Sequence, residues 1–263
     1  MLVFLKLGGS LITDKSSPYT PRLEMLESLS YEIAASMKGN PDLRVILGHG
    51  SGSFGHQAAN QYGTRRGVSA SEGWRGFAEV WYQASALNRL VVDALRKAGL
   101  PVVTLSPFSA VMSRDGHVVT WDLSFLNAAL ANGLFPVIHG DVVFDVDRGG
   151  TILSTEDLFA HLAPILKPKR ILLSGQESGV WADFPARTHL LQELTSQTME
   201  TQAPGLGLGT GADVTGGMKS KVTEMLALVK MVPGLEVIIF SGTEPGNIRA
   251  ALNGENPGTR LHS

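Results

Sequence analysis

The chain has 263 residues, 43% apolar and 17% charged, enough to bury a sizeable core and too apolar for a disordered segment. Its 22 basic and 24 acidic side chains leave a formal charge of −2, which argues against a globally basic nucleic-acid binder. The absence of cysteine excludes disulfides, thiolate catalysis, cysteine-ligated zinc and iron–sulfur clusters. No apolar run approaches the ~18–20 residues of a bilayer span. The opening MLVFLKLGGS lacks a basic stretch and a small-residue cleavage site, so it reads as a first strand and a cytoplasmic location is expected.

In chain order, residues 2–7 predict a strand, 22–38 an amphipathic helix and 43–47 a second strand. A long helix is expected over 74–98, with Trp74, Phe77, Trp81, Ala84, Leu87, Val91, Ala94 and Ala98 on one stripe. Strands follow at 102–105 and 134–139, with turn chemistry at 113–117 and 145–150 marking antiparallel hairpins. A helix at 156–166, a strand at 171–173, a helix at 218–232 and a strand at 237–240 complete the pattern. Short, nearly all-apolar strands alternating with helices predict an α/β protein with an open, largely parallel sheet. Pro168 is the best seam between two lobes, and the glycine-rich stretch 202–217 reads as a mobile loop.

Four glycine clusters flank these elements: Lys6-Leu-Gly-Gly-Ser10, His49-Gly-Ser-Gly-Ser-Phe-Gly-His56, His139-Gly-Asp141 and Thr215-Gly-Gly-Met-Lys-Ser-Lys221. Strand C-termini share one edge in such sheets, and ligands bind there. Glycine lets backbone approach a ligand and turn its N–H groups toward an anion, and helix N-termini add positive charge. Several such clusters predict a polyanionic ligand, although any one could be a plain turn. Lys6 and Lys15 sit in and after the first cluster. Lys219 and Lys221 open a helix, where a cation opposes the dipole and asks for a nearby anion. Being two apart, these last two cannot share a face, and one is expected to be an ordinary surface lysine.

Generic motifs are missing: there is no G-x-x-x-x-G-K-[ST], H-E-x-x-H or G-x-S-x-G. Gly50–Gly55 matches G-x-G-x-x-G, but the acids that follow, Glu72 and Glu79, fall inside a helical stretch rather than at a strand end where a ribose would need one.

The ordered set of motifs resembles the amino acid kinase superfamily, and within it the isopentenyl phosphate kinases, over nearly the whole chain. K-L-G-G-S with Lys15 resembles the opening nucleotide loop, and H-G-S-G-S-F-G-H the family's most specific segment. V-I-H-G-D at 137–141 resembles the acceptor-side loop, D-V-T-G-G-M-K-S-K at 213–221 the closing nucleotide loop, and the segment from Gly242 through Gly258-Thr259 the family's C-terminus. The resemblance implies a three-layer αβα sandwich of residues 1–263, an acceptor-binding N-lobe of 1–168 carrying the hairpins, an ATP-binding C-lobe of 169–263 and a homodimer. It implies ATP-dependent phosphorylation of isopentenyl phosphate to isopentenyl diphosphate, as in isoprenoid biosynthesis, with Mg²⁺ carried on the ATP phosphates, no protein metal site, and neither nucleic acid nor membrane as partner.

Carried over by position, the resemblance assigns catalytic roles to Lys6, Lys15, His56, Asp157 and Lys221, with Asp157 orienting the lysines. It assigns ATP contacts to Lys6, Gly8, Gly9, Ser10, Gly52, Gly179, Gly216, Gly217 and Lys221, and acceptor contacts to Ser51, Gly55, His56, Gly140 and Asp141. Trp74, Phe77 and Trp81 are expected to form the apolar slot for the prenyl tail or else to pack in the core. One segment departs from the family: Gly175-Gln-Glu-Ser-Gly-Val180 has Gln176 and Ser178 where acids are usual, so the adenosine contacts are open. The competing readings are another small phosphate or phosphonate kinase, such as a fosfomycin kinase, and a non-catalytic nucleotide sensor. The sensor is favoured if Lys6, Lys15 and Lys221 do not converge.

Overall fold

The computed structural model describes residues 1–203, 206 and 217–263. Its strands are β1 (Leu2–Leu7), β2 (Arg44–His49), β3 (Val102–Thr104), β4 (Val111–Arg114), β5 (His117–Trp121) and β6 (Phe135–His139). They continue with β7 (Asp141–Asp145), β8 (Gly149–Leu153), β9 (Arg170–Gly175), β10 (Glu193–Leu194), β11 (Glu236–Ser241) and β12 (Thr259–Leu261). Helices α1 (Gly9–Ile12), α2 (Leu23–Gly39), α3 (Gly52–Tyr62), α4 (Ser71–Lys97) and α5 (Pro107–Ala110) lie in the first half. The second half holds α6 (Ser124–Ala131), α7 (Thr155–Leu166), α8 (Met199–Gln202), α9 (Gly217–Met231) and α10 (Asn247–Leu252).

Eight strands form one sheet in the order β10-β12-β11-β9-β1-β2-β6-β3, parallel apart from the β11–β12 pair. The two expected hairpins, β4–β5 and β7–β8, join through a parallel β4–β7 pair into a separate four-stranded sheet. Because side chains alternate along a strand, each apolar run feeds two cores. Phe4, Ile46, Ile171, Leu173, Val237 and Ile239 face the core closed by α7 and α9. Val3, Leu5, Val45, Leu47, Leu172 and Ile238 face the opposite core, closed by α2, α4 and α10. Helices on both faces of a mostly parallel sheet make the three-layer αβα sandwich. The sheet runs unbroken across Pro168, since β1 pairs with β2 on one side and β9 on the other.

The buried stripe of α4 differs from the sequence reading. It runs through Phe77, Val80, Ala84, Leu87, Val91 and Leu95, whereas Trp74 and Trp81 are partly exposed. Trp74 turns toward the small sheet and meets Phe144 of β7 (ring centroids 6.0 Å), and Trp81 meets Phe108 of α5 (5.7 Å).

Candidate active site

Lys6 lies two residues after Phe4 on β1 and so shares its face of the sheet. Its partner across the ladder is Gly48, where a Cβ would stand 2.2 Å from Thr155 Cγ2 and 2.8 Å from Phe159 Cζ. The missing side chain lets α7 lie directly on the sheet. Phe159 then packs on Phe4, with centroids 5.0 Å apart, and Glu156, one helical turn earlier, meets Lys6 Nζ in a buried ion pair. Lys221 Nζ, from the first turns of α9, reaches within 3.8 Å of the same carboxylate.

The start of α7 is fixed by a capping box. Asp157 N–H donates to Ser154 Oγ at 3.1 Å, and Ser154 N–H donates to the Asp157 carboxylate at 2.7 Å. Asp157 is thus held at the helix start and acts on Lys6 only through its charge, and the carboxylate in contact with the lysines belongs to Glu156. The Asp157 side chain folds back to the helix start and otherwise faces Arg65 at 3.6 Å, while Glu156, one position earlier, points at Lys6 and Lys221. Thr155 Oγ1 donates to the His49 carbonyl at 2.7 Å and ties the turn to the end of β2.

These charges are strongly coupled. Burial pulls the Lys6 ammonium below the ordinary lysine value, opposed by the Glu156 carboxylate and reinforced by Lys221. Burial pushes the Glu156 carboxyl up, but Lys6 and Lys221 outweigh it and hold it down to about 2. The result is an anion caught between two cations, with a surplus of positive charge facing the cleft.

Two glycine loops abut beside Lys6. A Cβ on Gly9 would lie 2.6 Å from the Gly52 nitrogen, and one on Gly50 would lie 2.9 Å from the Gly9 nitrogen. Gly52 itself has φ +50°, and a side chain there would strike Thr13 Oγ1 at 2.2 Å. Thr13 Oγ1 donates to Gly9 O at 2.7 Å and accepts from Ser53 N–H at 2.9 Å, locking the loops together. Gly52 thus serves loop packing and does not line the cleft, whereas Gly50, its neighbour but one, does.

All of this borders one cleft of about 1030 Å³ along the strand ends, generous for a single small ligand. Lys6, Lys15 and Lys221 all line it, contrary to the condition that would favour a non-catalytic reading. So do Gly8, Gly9, Ser10, Ser51, Gly55 and His56, and also Gly140, Gly179 and Gly217. The Gly8 N–H, however, is engaged by Ser174 O at 2.9 Å and is not free for a phosphate. Gly216 and most of 202–217 lie outside the described residues.

Asp141 is fully buried behind the cleft, not in it. Its carboxylate accepts from Ser106 Oγ at 3.2 Å and from Val142 N–H at 2.8 Å, and lies 3.3 Å from His139 Nε2. The rings of His49 and His139 stack beside it (centroids 5.3 Å), and burial, with His139 adding, pulls the His49 pKa down to about 3 and keeps it neutral. Trp74, Phe77 and Trp81 do not line the cleft either. The apolar part of the cleft wall beside α3 is built instead from Ala59, Val80 and Ile152, with Phe77 packed among them in the core behind.

Other lining residues carried no motif. Glu156 was one position from the residue singled out, and strand alternation with the i, i+3 step from Phe159 is the signal that finds it. Arg65 and Arg66 stand in a turn after α3. In the departing segment, Glu177 accepts from Trp181 Nε1 at 3.0 Å and Arg187 at 2.8 Å, so an acid does face the cleft there, one residue after Gln176. Among the described residues lining the cleft, seven cationic side chains face two carboxylates, Glu156 and Glu177. Neither Glu72 nor Glu79 reaches it, which removes the dinucleotide reading.

An αβα sandwich with a cationic, glycine-lined cleft at its strand ends is built for bringing phosphate groups together. The chain belongs to the amino acid kinase family, whose model matches residues 1–241. Within that family the relatives it resembles include isopentenyl phosphate kinases. It is 35% identical to the one from Methanothermobacter thermautotrophicus and 32% identical to the one from Methanocaldococcus jannaschii, each match covering 99% of this chain and 98% of the relative. A solved isopentenyl phosphate kinase structure superposes with a TM-score of 0.84 at 30% identity, over 99% of this chain and 100% of the other.

Proposed function

We propose that the protein transfers the γ-phosphoryl group of ATP to isopentenyl phosphate, giving isopentenyl diphosphate and ADP. The observation that carries this reading is the gathering of Lys6, Lys15 and Lys221 around one cleft whose other end presents His56 and a short apolar wall. The family supplies the donor, and the named relatives supply the acceptor.

The chemistry pits anion against anion. Two unit charges at 4 Å repel by about 4 kcal/mol at an effective dielectric of 20, and a phosphate dianion facing a triphosphate multiplies this. The lysines lower that barrier before positioning can act. An acceptor phosphate oxygen attacks the γ-phosphorus, a P–O bond forms, and the bond to the bridging oxygen breaks with its electron pair leaving on ADP. The nucleophile is already an oxyanion, so no general base is needed. His56, with Ser51, Gly55 and Gly140, holds the acceptor phosphate, and Ala59, Val80 and Ile152 receive its five-carbon tail. Lys6 and Lys221 lie over the transferring group, fixed by Glu156, and Lys15 meets it from the loop after α1. Gly9, Ser10, Gly179 and Gly217 border the donor.

The order of strands about β1 supports dividing the work, with the acceptor on the β2–β6 side (residues 1–168) and the donor on the β9–β11 side (169–263). Among the described residues, no group of three or more His, Asp or Glu side chains could hold a metal ion. Magnesium would be borne by the donor phosphates, where it neutralises charge. No helix of the described residues is long and apolar enough to cross a membrane. A cytoplasmic homodimer belongs to the same proposal. ADP release measured with isopentenyl phosphate, dimethylallyl phosphate and fosfomycin side by side tests the function. Turnover with the prenyl phosphates is expected, and turnover with fosfomycin alone would reject it.

A further inference from the structure

We propose that Arg65 is a further acceptor-binding residue, a guanidinium that grips the phosphate of the prenyl substrate from the side opposite the lysines. The inference rests on isopentenyl phosphate being the acceptor. The face of α3 that lines the cleft runs Gly55, His56, Ala59 and Asn60, and the chain then turns through Gly63 and Thr64–Arg66, with Gly63, Arg65 and Arg66 still on the cleft wall. This turn is held without help from the Arg65 side chain. Gly63 (φ +64°) and Gly67 (φ +132°) bracket it, Thr64 is buried, and Thr151 Oγ1 donates to the Arg65 carbonyl at 2.9 Å. Val68 N–H donates to Arg148 O at 2.8 Å just beyond.

The guanidinium itself is under-used. Its one ion pair among the described residues is a loose 3.6 Å approach to Asp157, whose carboxylate is already engaged by the Ser154 amide. Five N–H donors in a planar fork match a phosphate far better than one long contact to a carboxylate. Electrostatics also calls for a cation here. Lys6 and Lys221 are tied to Glu156 at the β1 end, and a phosphate dianion held by His56 needs compensating charge at its own end of the cleft.

The test measures kcat and KM for isopentenyl phosphate and for ATP separately in wild type, Arg65→Ala and Arg65→Lys, with thermal melting of each. Calorimetric titration of isopentenyl phosphate without nucleotide is run alongside. Loss of one charge-assisted contact predicts a KM for isopentenyl phosphate raised roughly 10- to 100-fold in Arg65→Ala. The KM for ATP should stay within about twofold, Lys should recover part of the loss, and melting should be unchanged. Binding without nucleotide should weaken in step. A KM for isopentenyl phosphate within about twofold of wild type, or both KM values rising together, overturns the proposal while leaving the kinase reading intact. Arg65-dependent binding without any turnover would support Arg65 and sink the kinase reading. No binding and no turnover in wild type would overturn both.

Discussion

Glu156→Gln removes the negative charge between Lys6 and Lys221 while keeping the size of the side chain and a hydrogen-bond acceptor. The Lys221 contact at 3.8 Å corresponds to about 4 kcal/mol at an effective dielectric of 20, but Lys221 is a third exposed, so solvent screens most of that. The Lys6 pair is buried, and stripping one partner from such a pair costs about 3–5 kcal/mol, because an ammonium is left uncompensated. Taking about 3 kcal/mol, a chain of this size should melt roughly 6–12 °C lower. The kcat should fall on the order of 10²-fold as the lysines lose their fixed geometry.

Two pH signatures belong to this mechanism alone. Glu156 is the main group holding the Lys6 proton against burial, so its loss lowers the Lys6 pKa further, and the alkaline limb of kcat/KM moves to lower pH. The Glu156 pKa is depressed in the fold. Its stabilising contribution is therefore present above the ordinary value of 4.5 and fades as pH falls toward about 2, so the stability gap between wild type and Glu156→Gln should close over that interval. Asp157→Asn, which retains the cap, should move the alkaline limb far less. Melting temperature, kcat and alkaline limb all unchanged in Glu156→Gln would refute the reasoning.

Lys15→Ala should lower kcat roughly 10²- to 10³-fold with unchanged melting, as expected of one preorganised donor on an exposed loop, and near-normal kcat would remove it from the site. Trp81→Ala should leave the prenyl chain-length profile unaltered, whereas Ile152→Ala should admit longer prenyl phosphates, because only Ile152 lines the cleft. The opposite pattern in a substrate series would restore the aromatic slot. Gly9→Ala forces its Cβ into the Gly52 backbone at 2.6 Å and should abolish turnover, which an activity assay on folded protein checks. Asp145 accepts from Ser113 Oγ and from the N–H groups of Gly116, Arg148 and Asp147. These outweigh burial and hold its pKa well below the carboxylate range, so Asp145→Asn should cost on the order of 2–3 kcal/mol at neutral pH in denaturant melts, a difference that disappears only in strong acid.

The strands were legible because doubly covered strands need unbroken apolar runs. Residues 2–7 form β1 with the expected bounds, and the glycine clusters after Lys6, His49 and His139 fall at the ends of β1, β2 and β6, where the parallel topology puts a ligand. What escaped was azimuth. A stripe through α4 can be drawn by way of Trp81 or Val80 at helical spacing, and only the packing against Phe108 of α5 and Phe144 of the small sheet settles which side faces in. The same holds at Ser154-Thr-Glu-Asp157, where two adjacent acids are equivalent in sequence until the capping box claims one and the packing of Phe159 on Phe4 aims the other. Asp141 followed a glycine like a loop residue, yet it opens β7 and is buried.

The most direct measurement follows ATP labelled in its γ-phosphoryl group through a single turnover with isopentenyl phosphate. The label should appear in the terminal phosphorus of isopentenyl diphosphate, one ADP per product, and should be lost when Lys6 and Lys221 are replaced together by Ala. Label found only in inorganic phosphate, or transfer that survives the double replacement, would contradict a cleft in which lysines bring two phosphates together.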